Sequence, residues 1–248
     1  MLKTERMDRV RAALRAQGLT QMIVCDPKSV WYLTGVAVEP YERLLALYLP
    51  TEGEPVLFWN RLFNVPEPPC RTVWHTDTDK PVAQIAEVVD AGRPLGIDKE
   101  WPAKFLIPLM ETHPGMQVVL SSDCVDDCRA CKDAEEQALM REASRINDAV
   151  NEAAKHYIKA GMTEREVAEF IDAQFRAHGC EGPSFTTIVS FGANAADPHH
   201  EPDDTVLKEG DCVLFDMGCV KSRYCSDMTR TWFCGQPTEK QAAVHDLV

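Results

Sequence analysis

Residues 211–230 read DCVLFDMGCVKSRYCSDMTR. Asp216 interrupts the apolar run VLFDMG, and Asp227 lies in a second short strand-like piece. A carboxylate in a half-buried strand is costly unless something offsets its charge. If VLFDMGCV pairs antiparallel with RYCSDMTRTWF through a tight turn centred between Lys221 and Ser222, Asp216 lies directly opposite Asp227. Both then project to one side of the sheet, with side chains within about 6 Å. Like charges so placed cost stability or hold one carboxyl protonated. A bound divalent cation reverses that local electrostatics. The competing reading is a longer turn with the register slipped by one, which turns one aspartate to solvent or to a backbone donor. Lys221-Ser222 is not a favoured pair for a two-residue turn, so spacing leaves both readings open.

The strand-like character extends to SFTTIVSFG (184–192) and YCSDMTRTWFCG (224–235), with the loop ANAADPHHEPDDTVLKEG (193–210) ahead of the first aspartate. His199 and His200 follow Pro198 in this acidic loop. An imidazole there can orient a substrate or move a proton. Loop histidines are also commonly solvated side chains, and neighbours in sequence rarely point the same way. Upstream, KDAEEQALMREASRINDAVNEAAKHYIKAG predicts one long helix over 133–160, closed by Gly161. MTEREVAEFIDAQFRAHG predicts a second, opened by the capping-box spacing of Thr163 and Glu166 and stopped by Gly179.

The first half of the chain alternates differently. A helix over 5–17 presents Met7, Val10 and Leu14 on one stripe and ends at Gly18. The strand QMIVCD follows, then KSVWYLTG as a short helical or irregular piece. ERLLALYLP and EPVLFWN form a hairpin-like pair about TEGE. Beyond the Pro-rich loop VPEPPC come strand RTVWHT, helix KPVAQIAEVVDAG, strand RPLGIDK, helix PAKFLIPLMETHPG and strand MQVVLSS. Such alternation predicts an α/β domain with a mixed sheet covered by helices. We place domains at 1–130 and 131–248.

A formal net charge of -13 argues against a nucleic-acid partner, since no basic face is available to displace counterions. MLKTERMDRVRAALRAQGL has helical periodicity rather than the pattern of a leader, and no run of eighteen apolar residues occurs. The expectation is a soluble cytoplasmic protein that does not engage membranes. Its ten cysteines are then reduced thiols. Cys124, Cys128 and Cys131 lack a matching second pair for a zinc site, and the favoured reading packs Cys128 and Cys131 as small hydrophobes in the first turns of a helix.

FTTIVSFGANAADPHHEPDD, VLFDMGCV and YCSDMTRTWFCGQPTEKQ together resemble the core of the Xaa-Pro peptidase, prolidase and creatinase group of pita-bread metallopeptidases. RMDRVRAALRAQGLTQMIVCDPKSVWYLTG resembles that family's non-catalytic first domain, and CKDAEEQALMREA its entry into the catalytic domain. The resemblance spans essentially the whole chain. It implies a creatinase/prolidase-like α/β domain followed by the first half of an α+β pita-bread domain. Carried over residue by residue, Asp216 would hold one divalent ion, Asp227 would bridge two, and His199 would bind substrate and steady the tetrahedral intermediate. The ions implied are manganese foremost, with cobalt or zinc as alternatives. The substrates implied are short proline-containing peptides, and the assembly a homodimer.

One departure stands out. The family takes a histidine, a glutamate and a final bridging glutamate from later strands, and here Glu239 and His245 are the only such residues after Asp227. Both fall on a predicted helix and read as helix-surface residues. The chain therefore looks truncated at its C-terminus, and the expectation is weak or absent metal binding and no activity for it alone. Creatinase-like amidinohydrolysis, or a non-catalytic dimerisation or interaction protein of the same fold, are the alternative readings.

Overall fold

The computed structural model describes residues 2–63 and 69–248. They fall into two compact units, Met1–Cys131 and Lys132–Val248.

In the first unit, α1 (Thr4–Ala16) leads to β1 (Gln21–Val24) and α2 (Pro27–Thr34). Asp26 caps α2, accepting the Ser29 N–H at 2.9 Å, and Gly35 ends it at φ 71°, a left-handed position that suits a residue without a Cβ. β2 (Ala46–Pro50) and β3 (Val56–Asn60) form the expected antiparallel pair. β4 (Arg71–His75), α3 (Pro81–Ala86), β5 (Leu95–Ile97), α4 (Ala103–Thr112), β6 (Val118–Leu120) and α5 (Asp123–Ala130) complete it. The strand order is β4-β3-β2-β1-β5-β6, with β2 the one strand antiparallel to its neighbours. Most of the VPEPPC loop lies outside the described residues.

Helices cover both faces of this sheet, so its central strands are apolar without alternation. Met22 and Val24 face a core with Met7, Val10, Leu14, Val30 and Leu33 from α1 and α2. Ile23 faces the opposite core with Ile85 and Leu109 from α3 and α4. The expected helix over 80–92 stops at Ala86, and the chain leaves it in tight turns, with the Val88 and Val89 N–H groups both donating to the Ile85 carbonyl and Asp90 Oδ1 accepting the Gly92 N–H at 2.9 Å. A helix with Cys128 and Cys131 packed in its first turns was expected; the helix that forms is α5, which ends at Ala130, ahead of Cys131. It carries Cys124, Val125 and Cys128 onto the first core, and Cys131 follows it at the surface. The described thiols do not converge into a metal cluster.

The second unit opens with α6 (Ala134–Tyr157) and α7 (Glu164–Ala177). Both begin with reciprocal capping boxes, Asp133 with Glu136 and Thr163 with Glu166. Next come β7 (Gly182–Pro183), β8 (Ile188–Phe191), a 3-10 helix (Gly192–Ala196), β9 (Cys212–Met217), β10 (Cys219–Lys221), β11 (Tyr224–Cys225), β12 (Met228–Phe233) and α8 (Glu239–His245). The strands form two antiparallel three-stranded sheets, β12-β9-β8 and β11-β10-β7.

Val150 and Ala154 of α6 and Val167, Ile171 and Phe175 of α7 pack on Val189, Phe191, Val213, Phe215 and Met217. Trp232 meets Phe215 edge to face at 4.6 Å, a contact worth about 0.5–1.5 kcal/mol beyond its buried area. Odd-numbered residues of β9 therefore face the helices, which turns Leu214 and Asp216 to the opposite face.

Candidate metal centre

Lys221 pairs with Tyr224 across a two-residue turn in which Ser222 and Arg223 both have positive φ, 49° and 67°. This is the primed geometry that hairpins favour, built without the usual Asn-Gly. The turn is centred one residue later than the sequence suggests, and the partner strand shifts by two. Asp216 therefore stands opposite Thr229 and not opposite Asp227, with Ile188 as its neighbour on the other side. Because side chains alternate with period two, a shift of two keeps the face. Asp227 lies one residue ahead of β12, and continuing the alternation past Met228, which pairs with Met217, sets it on the side of the sheet that Asp216 occupies, as a diagonal neighbour about 7–8 Å away between backbones.

Gly218 makes this register possible. It joins β9 to β10 where the chain crosses from one sheet to the other. A Cβ at this position would lie 1.9 Å from the Ser226 carbonyl oxygen and 2.3 Å from Ser184 Oγ. Ser184 Oγ donates to that same carbonyl at 2.8 Å, and Ser226 Oγ accepts the Cys219 N–H at 3.0 Å. On the helix side, buried Asn147 Nδ2 donates to the Met217 carbonyl at 2.9 Å. Both chain segments next to the aspartates are thus held by hydrogen bonds.

Asp216 Oδ1 is buried and has no hydrogen-bond partner. A buried acceptor left in this state is costly, and each such atom in a native fold calls for an explanation. Asp227 is exposed, and its carboxylate makes no hydrogen bond or ion pair with the described residues. Two carboxylates on one face, neither spent on protein donors, form a hard oxygen donor set suited to a divalent cation. Arg230 does not belong to this group. It is exposed, donates to the Thr229 carbonyl at 2.8 Å, and pairs in register with Phe215, which assigns it to the other face.

His199 lies in the loop after the 3-10 helix. Its imidazole is exposed and bonds to neither Asp216 nor Asp227, while its backbone N–H donates to Asp197 Oδ1 at 2.9 Å. His200 turns inward, its side chain 14% exposed, and Nε2 donates to Glu164 Oε2 at 2.6 Å. Glu164 is fully buried at the first position of α7, where Oε1 accepts from the Phe191 N–H at 2.7 Å and from Asn194 Nδ2 at 3.0 Å. Sequence reading missed Glu164. The one available signal was a second acid directly after the capping Thr163, which looks like an ordinary helix-start residue. Glu239 and His245 are exposed on α8, and His245 sits beside the Phe233 ring at 6.1 Å, in keeping with surface positions.

A cleft of about 550 Å³ occurs in the first unit, lined among others by Asp26, Lys99, Trp101, Asp126 and Arg129. Much of its charge is paired internally, Arg129 with Asp26 at 3.2 Å and Lys99 with Asp126.

Comparison with known proteins matches residues 138–248 to metallopeptidase family M24 and residues 6–131 to the creatinase/prolidase N-terminal domain. An uncharacterized peptidase of Staphylococcus aureus is 33% identical over 236 residues, covering 91% of this chain and 65% of its own length. The crystal structure of a prolidase from Thermococcus sibiricus superposes with a TM-score of 0.89 at 29% identity, over 100% of this chain and 70% of that one. Dipeptidase PepE from Mycobacterium ulcerans gives 0.89 and 29%, over 98% and 67%. The chain thus spans about two thirds of the length of these proteins.

Proposed function

The chain belongs to metallopeptidase family M24, behind a creatinase/prolidase N-terminal domain, and on that premise we propose that the whole protein hydrolyses Xaa-Pro dipeptides or short Xaa-Pro peptides with divalent metal ions. The observation that carries this reading is the pair of carboxylates without protein partners, Asp216 with its buried, unbonded Oδ1 and Asp227, exposed one residue ahead of β12. They would hold the ions. Bound there, the ions supply Lewis-acid polarisation of the scissile carbonyl and acidify a water. The PepE and prolidase relatives, named for dipeptide and proline-peptide hydrolysis, support the substrate class.

His199, exposed on its loop, offers an imidazole N–H to the substrate carbonyl oxygen as negative charge develops on it. β9, hydrogen-bonded on both sides, keeps Asp216 from following the substrate as it moves. Manganese as the resident ion, a homodimeric assembly and a cytoplasmic location belong to the same proposal. So does negligible turnover by the 248 residues alone, because two carboxylates leave most coordination positions of an ion pair to water.

The test is hydrolysis of Ala-Pro against Ala-Ala and creatine, with and without manganese, in the full-length protein and in residues 1–248. Cleavage of Ala-Pro that needs the ion, and that falls about a hundredfold or more in His199→Ala, supports the reading. Ion-independent cleavage, or a preference for creatine, overturns it.

A further inference from the structure

Glu164, His200 and Asp203 bring a carboxylate oxygen, an imidazole nitrogen and a second carboxylate within 4.8 Å of one another, an arrangement that could be taken for a cation site. The hydrogen bonds argue otherwise. Glu164 already accepts from four donors, the Phe191 N–H, Asn194 Nδ2, His200 Nε2 and the Asp203 N–H at 3.2 Å. His200 Nε2 is used in that knot, and Asn194 Nδ2 also reaches Thr205 Oγ1 at 3.1 Å. A carboxylate so fully occupied binds chain, not metal.

The four donors come from the end of β8, the 3-10 helix, the residue after His199, and the far limb of the loop. One buried side chain thereby gathers the whole segment that carries His199. The far limb has anchors of its own. The Glu164 N–H donates to the Thr205 carbonyl at 3.2 Å, the Arg165 N–H to Asp203 at 3.1 Å and the Leu207 N–H to Met162 at 2.9 Å. Residues 194–202 lack such backbone ties to α7, and their connection to it runs through Asn194 and His200 to Glu164.

We propose that Glu164 is a positioning residue, holding His200 inward so that the adjoining His199 is presented outward in a fixed pose. The kinetic part of this proposal rests on the peptidase reading above, whereas the structural part does not.

Amide hydrogen exchange and kinetics on the full-length protein test it. In Glu164→Leu and in His200→Leu, amides of residues 194–202 exchange at least about tenfold faster, while those of 205–207 and of α6 keep their rates. His200→Gln, whose amide can still donate to Glu164, restores the slow exchange. With Ala-Pro as substrate, Glu164→Leu lowers kcat with KM little changed, and the double variant with His199→Ala is no slower than His199→Ala alone.

Unchanged exchange at 194–202, uniform loosening of the whole unit, or additive kinetic losses overturns the proposal. If Glu164→Leu does not fold, the His200→Leu and His200→Gln pair decides. If the wild-type protein cleaves no Xaa-Pro peptide, the peptidase reading fails, and exchange alone still decides what Glu164 does.

Discussion

Asp216 and Asp227 oppose each other electrostatically whenever no cation lies between them. Replacing Asp227 by Asn should therefore raise the stability of the metal-free protein by up to about 1 kcal/mol. The same variant should lose the stabilisation that manganese confers on the wild type, about 2–3 kcal/mol when the ion stands near a hundred times its Kd. Melting curves with and without manganese read both signs, and a variant that keeps the manganese effect removes Asp227 from the ion site. The cysteines make a second residue-scale case. Burial pushes Cys124 up to about 11 and Cys180 up to about 12, and burial with the nearby Asp98 charge drives Cys25 higher still. Thiolate is the reactive form, so at pH 8 exposed Cys131 and Cys225 should react first with an aromatic disulfide reagent. Cys25, Cys124 and buried Cys219 should wait for unfolding, which peptide mapping of the labelled protein will show.

The joint between β9 and β10 sets the geometry at the scale of elements. Gly218→Ala puts a methyl 1.9 Å from a carbonyl oxygen that is itself hydrogen-bonded, so the backbone must move. A loss of about 1–3 kcal/mol is expected in urea unfolding, together with weaker manganese binding. Thr163→Ala, which removes a capping box, should cost about 1 kcal/mol without changing manganese affinity. Sequence patterning disclosed the helices over 134–157 and 164–177, because their apolar periods are long, and the strand that carries Asp216; the strand expected over 224–235 breaks at Ser226 and Asp227 into β11 and β12. It misplaced the hairpin turn because Ser222 and Arg223 adopt left-handed backbone that neither residue advertises. It placed Cys128 and Cys131 in the first turns of a helix, whereas α5 starts at Asp123 and ends ahead of Cys131, as the burial of these eight Asp- and Cys-rich residues is set by the first core rather than by local preference. The inward turn of His200 was illegible for a related reason, since its partner Glu164 is 36 residues away in sequence.

The chain folds as two compact units. Each has its own hydrophobic core, and the aspartates belong to the second. Adding manganese should slow amide exchange in peptides spanning 188–233 and leave those of the first unit's sheet, 21–60 and 95–120, unchanged. Protection in both would mean that ions also bind elsewhere on a chain of net charge -13. Among the described residues no helix is long and apolar enough to cross a membrane. The strand order of the first unit bears on how the chain is made. β1 lies between β2 and β5, and the Cys25 N–H that extends it donates to Asp98, 73 residues further on. During synthesis the helix pair and the aspartate hairpin of the second unit can close as soon as they emerge, since their partners are near in sequence. The first unit, although translated earlier, must keep one apolar edge of β1 open until residues 95–97 leave the ribosome, and it is in that interval that a nascent chain needs shelter from its neighbours.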